Sequence, residues 1–170
     1  MRRGFAWCLA LGLLASSPAA AATIIYSVSM DGAQEVPGPG DPDGTAIGTI
    51  TIADGGLISW SFSYVNIGAP TAMHIHGPSA PSGTAAGIFV GLGVATTGGA
   101  GTLISSVSTT AANATAINAN PGQFYVNIHN ADFPGGAVRG QLGTIVPEAP
   151  TLALLALGLL GLARAGRRRS

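Results

Sequence analysis

The chain has 170 residues, 26 of them glycine and only 8 % charged, with no lysine and a formal net charge of zero. That zero conceals a partition: Arg2, Arg3, Arg164, Arg167, Arg168 and Arg169 lie at the ends, while Thr23 to Val146 holds six acidic residues against the single Arg139, a net of minus five. An acidic body with one cation offers no footprint for a phosphate backbone and excludes nucleic-acid binding, and the mean hydropathy of +0.45 comes largely from the two termini, not from an integral membrane body.

In chain order, Arg2 and Arg3 precede the apolar run Phe5 to Ala15, and Ser16-Ser17-Pro18-Ala19-Ala20-Ala21-Ala22 supplies the small residues of an Ala-x-Ala cleavage site. This is the layout of a secretory signal peptide over residues 1–22, cut near Ala22, and it makes the Sec export machinery a partner. A retained anchor would call for a longer apolar run. Cys8 leaves with the peptide, so the mature chain has no cysteine for a disulfide despite an oxidising destination.

Residues 23–145 are the size of one domain and show no sustained helical period. Short alternating or β-branched runs, bounded by Gly, Pro, Asn and Asp, predict strands over 24–30, 46–53, 57–65, 71–76, 87–92, 102–107, 122–129 and 137–142. Ala53-Asp54-Gly55-Gly56 suits a tight hairpin turn. Trp60, Phe62 and Tyr64 alternate with Ser59, Ser61 and Ser63, so that strand should bury its aromatic face. Ala111 to Asn120 fits a short helix or an ordered loop equally well. The expected fold class is all-β: an antiparallel Greek-key sandwich, flanked by two apolar targeting helices.

The tail, residues 146–170, runs Val146-Pro147-Glu148-Ala149-Pro150, then an apolar block Thr151 to Ala163, then an arginine cluster. That block is short for a bilayer, which needs about 20 apolar residues, and the arginines favour the cytoplasmic side. The order of parts resembles the PEP-CTERM sorting signal of exported bacterial proteins, with Pro147 and Glu148 matching its motif. Ala149 stands where a second proline is usual, and Pro150 follows one place later. The resemblance implies transient anchoring at the inner membrane by a short transmembrane helix, and cleavage by an exosortase.

Chemistry concentrates in the histidines. His74 and His76 lie two apart in Met73-His74-Ile75-His76, so in a strand they share one face while Met73 and Ile75 share the other. By the same count Tyr125, Asn127 and His129 share a face opposite Phe124, Val126 and Ile128. If both strands lie in one sheet with their apolar residues buried, all three imidazoles stand on the same outer surface. Three imidazoles suit copper or zinc; the competing reading makes them structural, each donating a ring proton to a loop carbonyl. Arg139, the only cation of the body, should pair with Glu35 or Asp132 and serve stability. No nucleophile elbow, phosphate-cradling loop or Cys-His pair is present, so no catalytic residue is expected.

Three segments resemble the CHRD domain, named from its repeats in chordin: Met30-Asp31-Gly32-Ala33-Gln34-Glu35-Val36-Pro37; His74-Ile75-His76-Gly77-Pro78 with Gly87-Ile88-Phe89-Val90; and Tyr125 to His129 with Pro134 to Leu142. The resemblance implies an immunoglobulin-like or superoxide-dismutase-like sandwich without established enzymatic activity. His74-Ile75-His76-Gly77 also resembles the copper-binding strand of Cu/Zn superoxide dismutase. The chain lacks that enzyme's further histidines and disulfide, so dismutase activity is not expected. The reading that follows is an exported cell-surface or extracellular-matrix protein with a structural or adhesive role, in contact with exopolysaccharide or matrix proteins of a biofilm. Its competitor is a mononuclear copper or zinc protein using His74, His76 and His129.

Overall fold

The computed structural model describes residues 23–94 and 101–146; the signal peptide, the sorting motif Pro147-Glu148 and the two apolar targeting segments lie outside the described residues. Among the described residues no helix is long and apolar enough to cross a membrane.

Strands β1 (Thr23–Asp31), β2 (Thr45–Ala53) and β3 (Leu57–Val65) form an antiparallel meander, and β6 (Thr102–Ser108) pairs on the far side of β3. Alternation decides what each buries: Tyr26, Val28, Ile50, Ile52, Ile58 and Phe62 point into the core, whereas Ser61 and Ser63 are exposed. The hairpin between β2 and β3 closes with Gly56 N–H donating to the Ala53 carbonyl at 2.8 Å. The second half of the sheet consists of β4 (Pro70–His76), β5 (Ile88–Gly91), β7 (Tyr125–Asn130) and β8 (Val138–Gln141).

The strand order is β5-β4-β7-β8-β1-β2-β3-β6, so the fold is antiparallel and all-β, with one α-helix among the described residues. The expected pair of stacked sheets is realised instead as one continuous sheet. Its two halves meet where β8 pairs with β1 through Asp31 and Arg139; beyond Gly143 the chain runs on as β9 (Thr144–Val146), paired with Ser27 to Ile25 of the same β1. Close approach at this seam needs Gly140, because a Cβ there would overlap the Ser29 carbonyl and the Val28 and Met30 side chains. The sheet surrounds a single core to which both halves contribute, among them Tyr26, Ile50 and Phe62 from one and Met73, Ile75, Val126 and Ile128 from the other.

The undecided alanine-rich stretch is a helix, α1 (Ala111–Ala119). Thr110 caps it, accepting from Asn113 N–H at 3.1 Å, and Ala114 and Ile117 are buried beneath it. Asn118 pins it to the meander, accepting from the Tyr26 hydroxyl at 3.0 Å and donating to Asp54 at 3.1 Å. The following strand starts at Tyr125, later than predicted, because Pro121–Gln123 forms a 3-10 turn: proline lacks the N–H a ladder would use, and Phe124 N–H returns to the Pro121 carbonyl.

Candidate metal centre

β4 and β7 are antiparallel neighbours with Ala72 opposite His129, His74 opposite Asn127 and His76 opposite Tyr125. Met73, Ile75, Val126 and Ile128 are fully buried in the core, so the alternation turns His74, His76, Tyr125, Asn127 and His129 together onto the other face. One ring nitrogen from each histidine lies within 4.8 Å of the others. His74 Nδ1 and His129 Nε2 are 3.1 Å apart.

Two backbone carbonyls fix the tautomers. His76 Nδ1–H donates to the Ala86 carbonyl at 2.8 Å and His129 Nδ1–H to the Pro134 carbonyl at 3.0 Å, since a carbonyl can only accept. In neutral imidazoles this leaves a lone pair on each Nε2. His76 Nε2 is buried with no hydrogen-bond partner. A ring whose far N–H is tied to a carbonyl is the arrangement that orients metal-ligating histidines. Burial lowers the pKa of His74, and the neighbouring His129 and His76 lower it further. Burial likewise lowers that of His129, against the opposing bond to Pro134. Both effects favour the neutral, ligand-competent form.

The three histidines, their two strands and the covering loops all fall within residues 26–142, which match the CHRD domain. The chain belongs to the CHRD domain family. It matches no curated protein and no solved structure.

In this CHRD body the histidine face is less open than an outer surface: Tyr125, Asn127 and Arg139 are almost completely buried, and His76 is buried too. The segment between β4 and β5 folds across it. Ala80 N–H donates to the Gln123 carbonyl at 3.1 Å, and Gln141 donates to the Ala80 carbonyl at 2.6 Å. Beneath that segment the Arg139 guanidinium sits 3.5 Å above the centre of the Tyr125 ring, and Tyr125 in turn stacks on His76, ring centres 4.8 Å apart and planes 5° from parallel. Cation, phenol and imidazole therefore form one column that holds His76 in place.

Of the two acids named for Arg139, Glu35 is the one whose charge reaches it. The Arg139 hydrogen bonds are long, to the Pro81 carbonyl and Gln141 at 3.4 Å each, and one terminal nitrogen has no partner, as has Glu35 Oε1. Burial pushes the Glu35 carboxyl up to about 7, against Arg139, Val36 N–H and Asn127, which pull it down. The sequence reading did not single out Tyr125 and Asn127 as site residues. Their signal was the period-two face they share with His129.

Proposed function

We propose that this chain is an exported CHRD protein whose body binds a single zinc or copper ion through His74, His76 and His129. The observation that carries this reading is the convergence of three ring nitrogens within 4.8 Å from two rigid neighbouring strands. Neutral imidazoles are preferred ligands of both metals. A bound ion would supply Lewis acidity, and, if copper, one-electron redox capacity. The protein's own part is to keep three nitrogens unprotonated and aimed at one point. The role assigned is binding, with no catalytic residue. Export, exosortase processing of the tail around Pro147 and Glu148, transient inner-membrane anchoring and a final place at the cell surface or in the matrix belong to the same proposal and rest on the terminal sequences alone.

Elemental analysis of the untagged full chain, beside His74→Ala and His76→Ala, tests the site. About one zinc or copper per chain, lost in both variants, is expected. Folded wild-type protein that takes up neither metal, even when both are supplied, sinks the reading.

A second reading, a structural or adhesive module, is favoured by a different surface. Across β2, β3 and β6, the hydroxyls of Thr49, Thr51, Ser59, Ser61 and Ser106 surround the exposed Ile104 in a shallow depression without a titratable side chain. An uncharged surface of hydroxyls beside an apolar side chain suits a neutral polysaccharide. Chelator-insensitive retention on such a polymer, abolished by Ser61→Lys, would support it.

A further inference from the structure

Asn127 lies at the middle of the histidine cluster, opposite His74 and two residues from His129 on the same face, and it is only 2 % exposed. Its Oδ1 is 3.1 Å from His129 Nε2, which is itself 3.1 Å from His74 Nδ1. Because His129 gives its Nδ1–H to Pro134, the neutral ring has no proton on Nε2 to offer. Asn127 Oδ1 and His129 Nε2 therefore face each other as two acceptors.

The Asn127 amide also faces the Glu35 carboxyl, whose charged form it favours. A cation between the two acceptors turns their repulsion into two bonds. The spacing of His129 Nε2 from His74 Nδ1 and from Asn127 Oδ1 suits one, because four ligands bonded tetrahedrally at about 2.0 Å stand about 3.3 Å apart. Both 3.1 Å separations lie near that edge length.

We propose that Asn127 Oδ1 is a fourth protein ligand of the ion held by His74, His76 and His129, an inference that rests on the metal-binding reading above. Four protein ligands close the coordination sphere, and closed sites are structural ones. In a mature chain without cysteine, such an ion links β4 to β7 where other exported domains use a disulfide.

Cobalt(II) titration of the untagged full chain, followed by visible absorption, tests this. Wild type should bind one cobalt with the intense d–d bands of a four-coordinate site, displaced by zinc. Asn127→Ala should weaken binding by about tenfold or more, with bands falling toward those of a hydrated, higher-coordinate ion. Asn127→Asp, which keeps the shape, should bind at least as tightly with shifted bands, and it decides the matter if the alanine variant does not fold. Wild-type affinity and spectrum in either folded variant would overturn the fourth ligand while leaving the three-histidine site intact. Wild-type protein that binds no cobalt, zinc or copper would overturn both.

Discussion

Arg139 is 1 % exposed, and its charge is tolerated there because it stacks on Tyr125 and lies within reach of Glu35. A desolvated cation over an aromatic face gains about 2 kcal/mol or more. Arg139→Ala removes the stack and the bonds to Pro81 and Gln141, and should lower the unfolding free energy by about 2 kcal/mol in a urea melt. Arg139→Lys should recover less than half of that, since an ammonium cannot lie flat on the ring. An unchanged melt for the alanine variant would refute the structural role. Glu35 titrates near 4.5 when unfolded and at about 7 in the fold, so between those values the folded state binds more protons. Stability from this group is present below pH 4.5 and lost as pH rises through 7. His74 and His129, lowered from 6.5, act oppositely and lose stability as pH falls. Comparing Glu35→Gln with wild type isolates the first effect: the variant's melting temperature should gain on wild type between pH 4.5 and 8, and an equal difference at both ends would refute it. At this scale the sequence made the histidines and Arg139 conspicuous by rarity. It gave no sign that Tyr125 and Asn127 would be buried, since a polar residue on the face away from the core is ordinarily solvated.

The strands were legible as elements because alternation is a local signal: β1 to β3 fall within a residue or so of their predicted bounds. α1 was not legible. A nine-residue helix is marginal by itself, and this one is held by its buried face, by the Thr110 cap and by the Asn118 bridges to Tyr26 and Asp54. Thr110→Ala should therefore cost about 1 kcal/mol in a urea melt; no measurable loss would mean the tertiary bridges hold α1 without its cap. β9 was missed because three residues carry too little pattern, and its pairing with β1 comes from the path of the chain after β8.

At the level of the molecule, an all-β body without cysteine depends on one continuous core and on whatever ties its loops down. A metal bound by the folded state alone adds stability by mass action, about 2.7 kcal/mol at a concentration one hundred times its Kd. Zinc or copper should thus raise the melting temperature of wild type, a chelator should reverse the rise, and His129→Ala should show no such response. A melting point indifferent to both metals would count against the site.

The sequence by itself determined the all-β character, the buried aromatic face of β3 and the pairing of His74 with His76 on one face, because each depends only on residues two apart along an extended chain. Only the tertiary structure decided that β7 lies beside β4 and brings His129 to them, that the two halves join through β8 and β9 on β1, and that the segment after His76 folds over Tyr125 and Arg139. Those features are set by pairings between segments far apart in the chain, whose cost is loop closure and whose reward is shared burial, and no local pattern encodes that balance.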